Sequence, residues 1–149
     1  MKRRIVLNAP IDKLFPALIS PTLEGYRTVK NKLPTEDELK HGLTYQIEVQ
    51  GAKPKRYATV KVLKYEKPHI FSMEYTSSAF HKIDTVWLNE TTDGKTEMIS
   101  EHMEERIKDG KVISSKGKDD SNVIKPVSFW DRGKYKKLAY AVNKGLINY

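Results

Sequence analysis

The sequence contains no cysteine in its 149 residues. Disulfide bonds, thiolate metal sites and a cysteine nucleophile are therefore excluded together. Redox chemistry on protein sulfur is excluded with them.

Long apolar runs are also missing. No stretch approaches the ~20 apolar residues that a membrane helix needs. The N-terminus begins with basic residues, as a signal peptide does, but its apolar stretch Ile5–Leu7 is short and Pro10 ends it. We therefore expect a cytoplasmic protein. Its composition, 38% hydrophobic and 31% charged, is that of a globular chain, and its length fits a single domain over residues 1–149.

The sequence also lacks the short motifs of common enzyme classes. It has no Walker loop, no GxGxxG run and no serine-nucleophile motif. Its four histidines, His41, His69, His81 and His102, show no metal-binding spacing. We therefore predict neither a metal nor another cofactor.

Acidic residues are fewer than basic ones, 19 against 27, which gives a net charge of +8. The basic clusters are scattered, and no zinc finger, RNP-like strand or GXXG loop accompanies them. This pattern is typical of a solvated surface and disfavours nucleic acid as a partner. An anionic partner stays open if folding gathers the clusters on one side.

Hydrophobic periodicity divides the chain into three parts. A short strand over residues 3–8 precedes a helix that starts near Pro10 and is amphipathic through Ile19. Residues 21–40 suggest a second short helix and a loop. From His41 the period changes to two and predicts consecutive hairpin strands, at about residues 43–49, 57–65, 70–75, 82–91 and 96–106, with a further short strand at 111–114. An amphipathic helix follows from about Ser128 to Ile147.

The hairpin around Asp93-Gly94 has an ambiguous register. A two-residue turn would place Leu88 opposite Ile99, and His102 would then share a face with Thr85, Ser100 and Trp87. Asp84 and Glu101 would share the other face. A one-residue bulge would exchange the faces, so the sequence does not decide which of them is buried.

The first strand and the last helix both need partners from the middle of the chain. We therefore predict an α+β helix-grip fold, in which a curved antiparallel sheet of six to seven strands wraps around the long C-terminal helix, with short helices after the first strand. Such an arrangement tends to leave a cavity between its layers.

The opening Ile5–Phe15, with its Ala9-Pro10, resembles the START-related or SRPBCC superfamily, which also includes birch-pollen-allergen-like proteins. The strand–turn–strand Val62–Phe71 with Pro68 in the turn, the Asp93–Thr96 hairpin and the closing helix continue the resemblance over nearly the whole chain. Within that superfamily the sequence is most similar to small bacterial stand-alone domains of unknown function. The resemblance implies a cavity for an apolar or amphipathic small molecule and transfers no catalytic residue.

His102 is the strongest candidate for chemistry. It lies in mid-strand among Glu101, Glu104 and Glu105, and facing the cavity it could act as a general acid or base together with Glu104. The alternative is a histidine on the solvated face that pairs with neighbouring acids.

We predict a protein that binds a small hydrophobic or amphipathic molecule, as a monomer or homodimer. The predicted ligand-binding residues are Tyr45, Ile47, Val60, Val62, Phe71, Met73, Tyr75, Trp87, Trp130, Leu138 and Val142. These residues could instead pack against one another. Two alternatives remain: a cyclase- or dehydratase-like enzyme in the same pocket, and a protein-interaction module with a filled core. The sequence favours a binding protein over an enzyme.

Overall fold

The computed structural model describes residues 1–118, 120 and 122–147. Its strands are β1 (Lys2–Leu7), β2 (Thr44–Glu48), β3 (Tyr57–Glu66), β4 (Ile70–Thr76), β5 (Phe80–Glu90), β6 (Thr96–Lys108), β7 (Lys111–Lys116) and β8 (Ile124–Pro126). Its helices are α1 (Ile11–Ile19), α2 (Glu24–Lys30), α3 (Glu36–Lys40) and α4 (Phe129–Asn143), with a 3₁₀ turn at Ser20–Leu23.

The strands form one curved, open and mostly antiparallel sheet. Their order is β2-β3-β4-β5-β6-β1-β8, and β7 pairs with β6 beyond the end of β1. The α+β architecture predicted from the sequence is therefore confirmed. The described residues contain one strand that the prediction missed, β8, which is three residues long and lies parallel to β1. Its exposed side chains show no alternation that periodicity could detect.

Local capping explains where two of the helices begin. The hydroxyl of Thr35 accepts from the backbone N–H of Glu38 at 3.2 Å, and the Glu38 carboxylate accepts from the Thr35 N–H at 3.1 Å. This capping box holds the N-terminus of α3. Ser128 caps α4 by accepting from the Asp131 N–H at 3.3 Å. Helix α4 ends at Asn143, four residues earlier than predicted.

Pro16 is the sixth residue of α1, outside the first turn. A proline there cannot donate to the carbonyl four residues earlier. The helix is kept by its buried face, which includes Leu14 and Phe15, both almost fully buried. Tertiary packing therefore outweighs the local cost of the proline.

The hydrophobic core lies between the inner face of the sheet and the helices α1 and α4. Alternate residues of β3 and β4 supply its floor, as the period of two predicted. Its almost completely buried side chains are Leu7, Leu14, Phe15, Val60, Val62, Met73, Leu88, Met98 and Thr96. Helix α4 contributes Ala139 and Val142.

The β5–β6 hairpin is paired one residue out of register from the pairing that a two-residue turn would give. Leu88 pairs with Met98 and Asp84 pairs with His102, so that residues 91–95 form the loop. The Thr91 N–H donates to the Lys95 carbonyl at 2.9 Å and closes it. The inner face consequently carries Asp84, Val86 and Leu88 from β5 with Met98, Ser100, His102 and Glu104 from β6.

This register corrects the predicted neighbours of His102. Trp87 and Thr85 lie on the outer face, so neither shares a face with His102. Asp84 and Glu101 are on opposite faces and form no carboxylate pair.

Candidate functional site

A cleft of about 640 Å³ opens between the inner face of the sheet and the first half of α4. Its walls combine residues from β5, β6, α4 and the 3₁₀ turn: Asp84, Val86, Ser100, His102, Lys134, Tyr135 and Thr22. Arg3 near the N-terminus, Lys116 at the end of β7 and Asp120 also border it. Its volume is in the range of small-molecule sites, and its lining mixes apolar and polar groups.

His102 lies between two carboxylates on the sheet side of the cleft. Its Nδ1 is 2.5 Å from Asp84 Oδ1, and its Nε2 is 3.3 Å from Glu104 Oε2. The imidazole and the Asp84 carboxyl are about half exposed, whereas Glu104 is mostly buried. An imidazolium at this position donates to both acids at once.

The two carboxylates also control the charge of His102. Desolvation lowers the pKa of His102, but the hydrogen bonds to Asp84 and Glu104 outweigh it and raise the pKa above the ordinary 6.5. The hydrogen bond from His102 in turn lowers the pKa of Glu104. The two carboxylates that flank the imidazole therefore favour its charged form.

The edge of β6 has a gap in its strand pairing at His102. Strand β1 pairs with β6 only as far as Glu101, and β7 begins to pair at Glu104. Gly117 fills the gap with its backbone, since a Cβ there would lie 2.4 Å from the His102 carbonyl oxygen. Gly117 also has a φ of +84°, a left-handed conformation that favours glycine.

Two tyrosines provide further polar groups beneath the helices. Tyr45 is buried, and its hydroxyl has no hydrogen-bond partner among the described residues. The Tyr75 hydroxyl donates to Met73 Sδ at 3.7 Å, a weak interaction. Burial raises the pKa of both phenols, so both hydroxyls stay protonated and can donate. An unpartnered buried hydroxyl is costly, but neither tyrosine is among the residues that line the cleft.

Tyr135 brings a third hydroxyl, on the helix side of the cleft. Burial, with a smaller contribution from Asp131, raises its pKa above 10.0. It therefore remains a neutral donor opposite the charged His102 cluster.

The predicted ligand-binding residues fall into three groups. Tyr45, Val60, Val62, Phe71, Met73 and Val142 are buried in the core, and Ile47, Tyr75 and Leu138 are partly buried against it. Trp87 instead lies on the outer face of the sheet, where the Lys2 ammonium is 5.1 Å from its ring centroid. Trp130 is 85% exposed. Neither tryptophan lies between the sheet and α4, which corrects their predicted position in the cavity.

Sequence reasoning missed most of the residues that line the cleft. Asp84 and Val86 depend on the hairpin register, which periodicity left open, whereas Ser100 was predicted to share a face with His102 and does so. Thr22 belongs to a segment with little apolar content. Tyr135 was recognisable as part of the apolar stripe of α4, but not as a wall of a cleft.

The chain matches the model of one protein family. It belongs to the family DUF3284, described as a domain of unknown function, which matches residues 1–115. A search of curated proteins found no match.

One solved structure shares the fold, and two others are similar over most of the chain. A conserved protein from Geobacillus kaustophilus has a TM-score of 0.50 at 14% identity, over 97% of this chain and 95% of that chain. Protein CV1439 from Chromobacterium violaceum has a TM-score of 0.47 at 18% identity, over 95% of this chain and 96% of that chain. A protein from Rhodobacter sphaeroides also has a TM-score of 0.47, at 17% identity, over 97% of this chain and 89% of that chain.

Across the described residues, no helix is both long enough and apolar enough to traverse a membrane.

Proposed function

We propose that this protein binds a small amphipathic molecule in the cleft between the sheet and α4. The observation that supports this proposal most directly is the cleft itself, which has a volume of about 640 Å³. Apolar Val86 lies on its wall, and hydrogen-bonding groups lie on both sides. The order of elements, together with the resemblance of the opening segment to the START-related superfamily, supports the same proposal by analogy.

The arrangement of charges indicates how the ligand would lie. Its apolar part packs on Val86 and the ring of Tyr135, while its polar end meets Ser100 and the His102 cluster. Lys134, at the rim, favours an anionic group on the ligand.

The test is native mass spectrometry of the purified protein, followed by denaturing extraction of whatever it carries. We expect a reproducible small-molecule adduct, which V86W removes by filling the cleft. The matched control is W130A, which removes an aromatic side chain outside the cleft and should leave the adduct unchanged. A bare mass that stays bare after exposure to fatty acids, sterols and aromatic polyketides would overturn the proposal.

A second candidate function is an acid–base enzyme of the cyclase or dehydratase type. The observation that favours it is His102 held between Asp84 and Glu104 in an accessible cleft. In such an enzyme the imidazole moves a proton on the bound molecule, and the carboxylates hold its orientation. The test is turnover of the extracted molecule: H102A should abolish it while the circular dichroism spectrum stays unchanged.

A further inference from the structure

The outward side of α4 carries aromatic side chains in solvent. Phe129 is 81% exposed, Trp130 is 85% exposed and Tyr140 is 60% exposed. None of them is needed for the core, which α4 contacts through Ala139 and Val142. We call Phe129, Trp130, Arg132, Lys136, Lys137 and Tyr140 the basic aromatic face.

The charge of this surface has a single sign. Asp131 is the last acidic residue of the sequence, and five basic residues, among them Arg132, Lys136 and Lys137, follow it. In the part of the chain that the structure describes, these five form no ion pair. Next to them, a groove of about 420 Å³ between α4 and the edge strand β8 adds Lys125, together with Arg4, which pairs with Glu97 at 2.6 Å.

The composition discriminates between classes of partner. Protein interfaces are depleted in lysine, whereas lysines beside exposed tryptophan and phenylalanine are typical of surfaces that rest on anionic lipid. The Phe129 and Trp130 rings meet edge to face, at 6.0 Å and 80°. Single-stranded nucleic acid is the competing occupant, because its bases also stack on exposed rings.

We propose that the basic aromatic face docks the protein peripherally on a membrane surface rich in anionic phospholipid. Phe129 and Trp130 insert at the level of the headgroups, while Arg132, Lys136 and Lys137 contact lipid phosphates. The groove beside β8 accommodates a headgroup between Arg132 and Lys125. This proposal is independent of the cleft, which lies on the other side of α4.

Two measurements test the docking. The first is co-sedimentation with vesicles of phosphatidylcholine alone and of phosphatidylcholine with 30% phosphatidylglycerol, at physiological salt. Only the mixed vesicles should bind the protein, and K136Q/K137Q should weaken binding about 25-fold, because each lysine near the surface contributes about fivefold. The control K55Q/K61Q removes the same charge from exposed positions on β3 and the turn before it, and should change binding little.

The second measurement uses tryptophan fluorescence. In W87F the only tryptophan is Trp130, and its emission should shift to the blue when mixed vesicles are added. In W130F the remaining Trp87 lies on the sheet's outer face under Lys2 and should show no shift.

The remaining outcomes overturn the proposal. Equal losses in the two lysine variants would assign vesicle binding to net charge, and an absence of vesicle binding would exclude a lipid surface. Binding of a single-stranded oligonucleotide through Lys136 and Lys137 without vesicle binding would assign the face to nucleic acid. In each of these cases the adduct detected by native mass spectrometry would be unaffected, so failure here is distinguishable from failure of the cleft proposal.

Discussion

Tyr45 buries a hydroxyl that has no hydrogen-bond partner among the described residues. The rest of its ring is well packed, edge to face with Tyr26 at 5.2 Å between centroids. The ring therefore stabilises the core, while the oxygen opposes that stabilisation until a ligand or water satisfies it.

Replacing Tyr45 with phenylalanine separates these two contributions. In ligand-free protein, Y45F should raise the free energy of unfolding by about 1 kcal/mol, because an unsatisfied buried polar group is removed. Urea denaturation measures the change, and Y57F, at a tyrosine that is 58% exposed, is the control and should have no effect. A clear loss of stability in Y45F would show that the hydroxyl already has a partner in the ligand-free protein.

His102 makes stability depend on pH. Its pKa is raised in the folded protein, so its contribution to stability is complete below the unfolded value of about 6.5 and is lost as pH rises through the folded value. We expect the thermal midpoint to fall across neutral pH, and H102Q should flatten this decline. The conservative D84N should reduce the decline only in part, because Glu104 still accepts a hydrogen bond from His102. An unchanged slope in H102Q would contradict the role assigned to the two carboxylates.

At the scale of elements, periodicity located most strands and helices, but it did not determine the register between β5 and β6. The alternation of Ala58, Val60 and Val62 predicted a buried face of β3 that the structure confirms. The β5–β6 hairpin was harder, because both of its faces mix apolar and polar residues. Two-sided patterns of this kind specify register weakly, and the loop that Thr91 and Lys95 close decides it.

The segment that leaves β7 offers a test of the site's support. G117A places a Cβ against the His102 carbonyl, whereas G110A adds the same methyl group at a similar positive φ where the space is open. G110A should cost about 1 kcal/mol of stability from backbone strain alone. G117A should cost at least about 1 kcal/mol more, since β6 or the segment must shift. The His102 ring resonances in NMR spectra should move only in G117A. Equal costs in the two variants would mean that Gly117 does not support the site.

At the scale of the whole molecule, the core joins both ends of the chain to its middle. Leu7 from β1, Val142 from α4 and Val60 from β3 belong to one buried cluster. Asn143 also donates to the Asn8 carbonyl at 2.6 Å. Residues 5–26 supply ten of its 21 buried members, and strands β2–β6 together with α4 supply most of the others.

We therefore expect one cooperative unfolding transition. In W130F, the fluorescence of Trp87 reports on the sheet, while far-ultraviolet circular dichroism also reports on the helices. Their urea midpoints should coincide if the chain is a single domain. Midpoints that differ beyond error would show that the helical layer unfolds separately.

The sequence by itself determined the class of fold, because alternation and helical periodicity depend on which face of each element is apolar, and that is local information. It also determined the unbalanced charge of the last helix. Only the tertiary structure decided that Asp84 joins His102 and Glu104 in one cluster. It also decided that Trp87 and Trp130 lie outside the space between sheet and helix, and that basic and aromatic side chains share the outward side of α4. The physical reason is that these outcomes depend on strand register and on the side of α4 that packs inward, which contacts between distant residues select.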